Sequence, residues 1–378
     1  MDAGNRDMEV KSMRRLIAAV LALTAAGYVS GGEILDNEKL VRLVKAGLEE
    51  DTILRKLDRD ICNFALSTDE IEKLKSAGVS DRLILSMMDK MDKQVNRVRV
   101  EIEMLVQTLR TSDPEEYRKT IRKLKAYGAD AVPILVRQLT SLDNVIRAGV
   151  AEALGEISDV SSRSSLIDVL NDDHPPVRAK SARAVANMAD EETVGRLLRW
   201  VSMPGRRRDG AALALGYLRE KKAIAPLTTL MNDHLAAEDD RASAAFALGL
   251  IGDVSSLQKL IDVLLATPSD RIRETTADAI GRIGPYYGKD ERETAAKALT
   301  RAYDRYPQSR AVVARVLGDF RLSPVIETLI EGLQDANPEV ADACHKSLRS
   351  LTGETLTRSY EDWRSWWEAS KLTQYRLE

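Results

Sequence analysis

The stretch DRASAAFALG, residues 240–249, decides the fold because the chain contains five close variants of it. They are IRAGVAEALG (146–155), VRAKSARAVA (177–186), RRDGAALALG (207–216), IRETTADAIG (272–281) and SRAVVARVLG (309–318). Each has an arginine, then small residues at helical spacing, then an apolar residue and usually glycine. The arginines, separated by 31, 30, 33, 32 and 37 residues, are Arg147, Arg178, Arg208, Arg241, Arg273 and Arg310. A period of this length built from helices predicts a repeat array rather than one globular core.

The sequence around each variant predicts a pair of helices. Alanines three and four residues apart, such as Ala182 and Ala186, let one helix lie close to its neighbours. A short break follows, and then a second amphipathic segment such as LQKLIDVL, 257–264. Aspartate and proline recur before the arginine, as in DDHPPVR (172–178), where proline suits the first helical turn and an acid suits the helix dipole. Each repeat is therefore predicted to be one helical hairpin.

These features resemble the HEAT repeat, in particular the short bacterial HEAT-like type also found in phycobilin lyases, with its pattern DxxPxVRxxAxxALG. The resemblance covers roughly residues 114–350 and includes two less regular copies, at 115–139 and 338–353. In the last copy Ala341 takes the place of the arginine. The resemblance implies an all-α fold: a right-handed α-solenoid of HEAT-like helical hairpins with an N-terminal helical module.

The patterns divide the chain into five predicted segments. They are a signal peptide at 1–32, a duplicated small helical-hairpin module at 33–90, a connecting helix at 91–113, the HEAT-like array at 114–353 and a Trp-rich C-terminal cap at 354–378. The duplication is visible in KAGLEEDTILRKL (45–57) and SAGVSDRLILSMM (76–88), in which Gly47 matches Gly78.

Two apolar stripes in the flanking segments each allow two interpretations. The connecting helix carries a narrow seam that suits packing on the first repeat or pairing with a partner helix. Its members are Val95, Val98, Ile102, Leu105 and Leu109. The C-terminal segment places Trp363, Trp366 and Trp367 on one helical face. That face suits closure of the end of the stack, or a ligand-binding aromatic box.

The N-terminus predicts export. Lys11, Arg14 and Arg15 precede LIAAVLALTAAGYVSGG (16–32), an apolar stretch of signal-peptide length that ends in small residues, with cleavage expected near Gly31. We therefore expect a periplasmic or cell-envelope protein with no integral membrane span after cleavage. The alternatives are retention of the segment as an uncleaved anchor and a buried helix of a cytosolic protein.

Residue chemistry offers little for catalysis, metal binding or nucleic acid. A formal charge of −3 gives no basic field for nucleic acid. The two cysteines, Cys62 and Cys344, have no CxxC partner and suit a core, and the sequence contains no GxSxG or phosphate-binding loop. The repeated His–Glu pairs with which HEAT-like hydroxylases hold a di-iron centre are also missing. These observations predict that the chain is not an enzyme and has no catalytic, metal or cofactor site.

With these chemical roles set aside, the sequence favours binding of another protein on the surface of the repeats. Stacked hairpins expose their second helices along a wall that suits a peptide or protein face. The segment 284–308 lengthens one repeat and gathers four of the ten tyrosines, which suit either a binding surface or packing within their own loop. They are Tyr286, Tyr287, Tyr303 and Tyr306. Arg206 and Arg207 suit an acidic partner or a solvated helix start.

The predicted function is a non-catalytic protein-binding scaffold of the cell envelope that recognises a protein or peptide partner along the repeat surface. The alternative, implied by the lyase resemblance, is an accessory or maturation factor for a cofactor-bearing protein.

Overall fold

The computed structural model describes residues 34–205 and 208–373. The predicted signal peptide at 1–32 lies outside the described residues, as do Arg206 and Arg207. The chain divides into two compact units, 1–184 and 185–378, with the division inside one helix. The description below takes each unit separately.

The first unit begins with two helical hairpins, each preceded by a short strand. The order is β1 (Ile34–Asp36), α1 (Asn37–Lys45), α2 (Glu50–Arg59), β2 (Ile61–Asn63), α3 (Thr68–Ser76) and α4 (Asp81–Thr108). The strands pair in parallel, with buried Leu35 opposite buried Cys62. Gly47 and Gly78 follow the first helix of each hairpin with φ of +74° and +86°, which glycine adopts without strain. The strand pair was not predicted, because three residues are too few to show alternation.

Helix α4 is continuous across the predicted boundary at residue 90. Its seam packs on the next helices, α5 (Pro114–Ala126), α6 (Val132–Gln138) and α7 (Asn144–Ile157). Val98, Ile102 and Leu109 are buried there. A Cβ placed on Gly149 would lie 3.1 Å from Leu109 Cδ1, so the contact with α7 is close. Packing on the first repeat is therefore how this seam is used.

We call a helix that contains one of the six repeated phrases an arginine helix, and the helix that follows it in the hairpin a second helix. Arginine helices and second helices alternate along both units. The first unit continues with α8 (Arg163–Val169) and most of α9 (Pro175–Met188). The second unit contains α10 (Glu191–Ser202), α11 (Arg208–Tyr217), α12 (Ile224–Asn232), α13 (Glu238–Ile251), α14 (Leu257–Ala266), α15 (Asp270–Ile283), α16 (Lys289–Arg305), α17 (Arg310–Leu317), α18 (Ser323–Glu331), α19 (Pro338–Thr352) and α20 (Tyr360–Thr373).

Within the second unit the odd-numbered helices, α11 to α19, pack side by side in one layer, and the even-numbered helices form the other. In all six arginine copies the third, fourth, sixth and seventh residues after the arginine are buried. Most of these residues are small, so neighbouring backbones approach closely and bury apolar surface along the whole row. The predicted all-α fold, an α-solenoid of helical hairpins, is confirmed.

The tryptophan segment forms α20, which packs on α18. Trp363 and Trp367 are fully buried, and Trp363 Nε1 donates to Thr357 O at 2.9 Å. Their rings therefore cover the last repeat. Across residues 34–205 and 208–373, no helix combines the length and apolar character needed to cross a bilayer.

Candidate protein-binding surface

Three of the repeat arginines make the same contact inside the stack. Arg147 donates from Nε and Nη2 to both carboxylate oxygens of Asp172, at 2.7 and 2.9 Å. Arg208 reaches Asp233 and Arg310 reaches Asp335, in each case 25 residues further along the chain. Each aspartate also accepts the backbone N–H two residues later, so it holds the turn that starts the next repeat. The guanidinium groups of these three arginines therefore hold the repeats together.

Arg178 and Arg273 have different partners. Arg178 donates to the backbone oxygens of Asp172 and Asp173, and the residue 25 positions after it is Met203 rather than an aspartate. Arg273 is fully buried, and its guanidinium carbon lies 3.6 Å from the centre of the Tyr306 ring. Arg273 also pairs with Asp270 of its own helix and donates to Thr267 O, so the ring of the lengthened repeat adds a cation–π contact to these bonds.

The four predicted tyrosines do not form one surface. Tyr287 and Tyr303 are both 6% exposed. Tyr287 Oη donates to Ile280 O at 2.9 Å, and burial raises the pKa of this phenol. Tyr306 is half-buried, and its hydroxyl donates to a backbone oxygen of α14. These three rings fill the longer repeat. The prediction of a shared tyrosine surface therefore needs correction.

Tyr286 is the exception among the four, with 55% of its surface exposed. Its ring packs over Gly252, where a Cβ would lie 3.0 Å from Tyr286 Cε2. Arg219 Nη1 donates to its hydroxyl at 3.4 Å. The predicted binding residues Arg206 and Arg207 lie outside the described part of the chain and stay a prediction.

The exposed side chains of the arginine helices recur at the same two positions of each copy. In every copy the fifth and ninth residues after the arginine, or after Ala341, are at least partly exposed, whereas the residues between them are mostly buried. We call these positions in the second unit the open face. They are Leu213, Tyr217, Phe246, Leu250, Asp278, Arg282, Arg315, Asp319, Lys346 and Ser350.

The corresponding positions of the first unit include a network of polar bonds. Glu152 accepts from Tyr117 Oη and from Lys180 Nζ, each at 2.7 Å. Lys125 pairs with Glu156 at 3.0 Å. These side chains satisfy one another across neighbouring helices, so this part of the first unit offers fewer unused groups to a partner.

The open face begins with an apolar cluster on α11 and α13. Tyr217 and Phe246 pack edge to face with ring centres 6.4 Å apart, and the Arg282 guanidinium lies 4.9 Å from the Phe246 ring centre. Leu213 and Leu250 are partly exposed beside them. Large apolar side chains that are held in place and partly exposed are suited to contact with another protein.

The open face ends in a charged groove of about 510 Å³ between α17 and α19. Small residues such as Ala311, Gly318 and Ala343 line it, while Asp319 and Glu339 carry charge along it. Arg315 Nη2 donates to Asp278 Oδ1 at 3.0 Å, which links α17 to α15.

Two carboxyl groups of this layer, Glu274 and Asp319, have a pKa raised by their surroundings. Burial raises the pKa of Glu274, and the charges of Asp270 and Asp278 add to the effect. Burial also raises the pKa of Asp319, with Arg315 opposing and Asp278 reinforcing the rise. A positive charge brought to this region would relieve both effects.

The second helices present a different surface. In α14, Gln258 Nε2 donates to Asp262 Oδ1 at 2.9 Å, and Lys259 lies 3.8 Å from the same carboxylate. These polar side chains are exposed and pair along their own helix, as is usual for a solvated face. The wall predicted from the second helices therefore has fewer features of a contact surface than the open face.

Neither cysteine is placed for chemistry. Both are buried, and burial raises the pKa of each thiol to about 11. Cys344 Sγ lies 3.6 Å from Tyr303 Oη, while the adjacent His345 packs on Trp363 with ring centres 6.2 Å apart. Within residues 34–205 and 208–373, no group of three histidine, cysteine or acidic side chains could hold a metal ion.

Sequence comparison identifies the repeat. The HEAT repeats model matches residues 102–186 and 164–238, and the PBS lyase HEAT-like repeat matches residues 240–266. These residues match HEAT repeats. No curated protein is a significant match.

Several solved structures are similar to this chain. Kap121p bound to Pho4p is 11% identical with a TM-score of 0.51, over 90% of this chain and 42% of that one. The CpcE–CpcF complex of phycocyanin lyase from Nostoc is 19% identical with a TM-score of 0.35, over 66% and 94%. Human deoxyhypusine hydroxylase is 20% identical with a TM-score of 0.31, over 68% and 97%.

The last two comparisons correct one prediction. A lyase and a hydroxylase are enzymes, so helical stacks similar to this one include enzymes. The inference that the chain is not an enzyme, drawn from its repeats and from the motifs it lacks, is therefore wrong as an inference, because such repeats occur in enzymes as well. At these identities the similarity shows the fold alone, and neither activity is transferred to this chain.

Proposed function

We propose that this protein binds another protein or a peptide segment on the open face of its second unit. The observation that carries the proposal is the contrast between buried and uncovered positions in each copy. Every arginine helix buries the residues that hold the stack, and the partly exposed fifth and ninth positions then include Tyr217, Phe246 and Leu250. Apolar side chains that stay partly exposed at these positions are available for contact with a partner.

The export prediction gives the proposed setting. The basic residues and apolar stretch before residue 33 support a role in the periplasm or cell envelope. N-terminal sequencing of mature material checks it. A chain that keeps Met1 and is recovered in a cytosolic fraction would contradict the proposed location without affecting the binding surface.

The binding proposal is tested with two matched leucine substitutions. Leu213→Glu places a charge in the apolar cluster of the open face. Leu235→Glu makes the same change at a loop residue that is 98% exposed. Proteins from an envelope extract are captured on each full-length variant and identified by mass spectrometry, after circular dichroism has shown that both variants are folded.

We expect Leu213→Glu to lose partners that wild type and Leu235→Glu both retain. Equal capture by all three proteins would rule out the open face as the binding surface. A coloured or metal-loaded preparation of the purified protein would favour the other role that the sequence suggests, that of an accessory factor for a cofactor-bearing protein.

A further inference from the structure

The groove between α17 and α19 is open because the side chains on its floor are small. Ala311 and Val312 of α17 face Ala343 of α19, and a Cβ on Gly318 would lie 2.8 Å from Ser347 Cβ. Ser347 Oγ donates to Ala314 O at 2.9 Å, which joins the two helices beneath the groove. The groove is therefore part of the packed structure and needs no movement to form.

Charge is distributed unevenly along the groove. Its lining includes three acids and two bases, and two of the five already have an ionic partner: Arg315 with Asp278, and Asp342 with Arg358. Among the described residues, the carboxylates of Asp319 and Glu339 have neither a hydrogen bond nor an ion pair. The second base of the lining, Lys346, lies along the same groove.

The two unpaired carboxylates lie near opposite ends of the groove. Glu339 is in the first turn of α19, and Asp319 follows the last turn of α17. The eleven helical steps from Glu339 to Ser350 span about 16 Å at 1.5 Å per step. That length corresponds to about five residues of extended chain.

We propose that this groove binds an extended segment of a partner protein through lysine or arginine side chains, with Asp319 and Glu339 as the receiving carboxylates. The inference rests on the proposed function and adds the chemistry of the partner. The alkyl stem of a basic side chain fits along the alanine and valine floor while its charged end reaches a carboxylate. An acidic segment would meet a groove lining in which three acids outnumber two bases.

Defined peptides test the inference on the full-length protein. The probe is a fluorescent peptide of nine residues, with a central leucine, two lysines five positions apart, and serine and glycine elsewhere. Two counterparts carry glutamine or glutamate in place of both lysines. Binding is measured by fluorescence anisotropy at low and moderate salt.

The protein variants are Asp319→Asn and Glu339→Gln, which keep side-chain size and remove charge. The matched control is Asp262→Asn, an exposed carboxylate on α14. We expect the lysine peptide to bind more tightly than both counterparts. Each groove variant is expected to weaken it by about two- to fivefold, whereas Asp262→Asn leaves it unchanged. Added salt is expected to weaken binding by wild type more than binding by a variant that carries both Asp319→Asn and Glu339→Gln.

Equal binding of the lysine and glutamine peptides, no binding of either, or equal loss in the control variant would overturn the inference. The capture experiment with Leu213→Glu is independent of these results. Loss of partners in that experiment, together with a negative peptide result, would keep the protein-binding function and remove the basic partner.

Discussion

Gly249 of α13 lies against Ala279 of α15, so closely that a Cβ on Gly249 would be 2.7 Å from Ala279 Cα and 2.9 Å from its Cβ. Gly216 meets Ala247 in the same way, with 2.7 Å to its Cα. In each pair the glycine is the eighth residue after one repeat arginine and the alanine is the sixth after the next. The final glycine of the repeated phrase is thus the point at which neighbouring backbones touch.

Gly249→Ala is expected to lower the free energy of unfolding by about 2 kcal/mol, because the added methyl group meets backbone that cannot move aside. The matched control is Gly195→Ala in α10, where the nearest atom to the new Cβ is Arg199 Nη1 at 3.8 Å. There the change is expected to stabilise the helix by up to about 1 kcal/mol. Urea unfolding of both variants measures the difference. Two variants of equal stability would contradict the close contact.

Asp172→Ala is expected to destabilise the protein by about 3 kcal/mol, because it leaves Arg147 largely buried without its carboxylate. The Arg147 and Asp172 side chains are only 13% and 11% exposed. Asp262→Ala removes an exposed carboxylate and is expected to change stability by less than about 0.5 kcal/mol. Thermal and urea unfolding check both values, and a small effect of Asp172→Ala would show that the ion pair contributes little.

The same aspartate gives a prediction about pH. Burial opposes ionisation, but hydrogen bonds from Arg147 and the His174 N–H hold the pKa of Asp172 below its usual range. A carboxyl whose folded pKa is lowered stabilises the fold above its unfolded pKa of about 3.9, and this contribution is lost as the pH falls through the folded value. The difference in stability between wild type and Asp172→Asn should therefore shrink on acidification below pH of about 4. A difference that is constant with pH would contradict this assignment.

Asp319→Asn is expected to stabilise the protein slightly at neutral pH, by roughly 0.3 kcal/mol, because burial and Asp278 raise the pKa of Asp319. The carboxyl remains substantially exposed, so solvent screening keeps the gain small. A raised carboxyl pKa opposes folding while the group is ionised, and this effect disappears as the pH falls through the folded pKa. Unfolding at pH 7 and below the folded pKa measures the change. Clear destabilisation at pH 7 would show that Asp319 supports the fold.

Two neighbouring tyrosines should respond differently to truncation. Tyr287→Ala removes a buried ring that packs on Phe320, with ring centres 6.4 Å apart, and is expected to destabilise the protein by about 3 kcal/mol. Tyr286→Ala removes a ring that is 55% exposed, and the expected loss is less than about 1 kcal/mol. Thermal unfolding of the two variants compares them, and similar losses would contradict the burial assigned to Tyr287.

The sequence by itself determined the helical repeat and its register. The spacing of the arginines and of the small residues is set by contacts that recur in each copy, so it is visible without coordinates. The matched glycines Gly47 and Gly78 were visible for the same reason, since both end a helix with positive φ.

Only the tertiary structure decided which side chains remain available to a partner. Residue type does not separate Tyr286 from buried Tyr287, because their exposure depends on the neighbouring helices they meet. Nor does the sequence show that Arg273 stacks on Tyr306 while Arg147 takes Asp172, since each choice depends on which group the adjacent repeat brings within reach. Local spacing fixes each helical hairpin, and packing between hairpins then determines which positions stay uncovered.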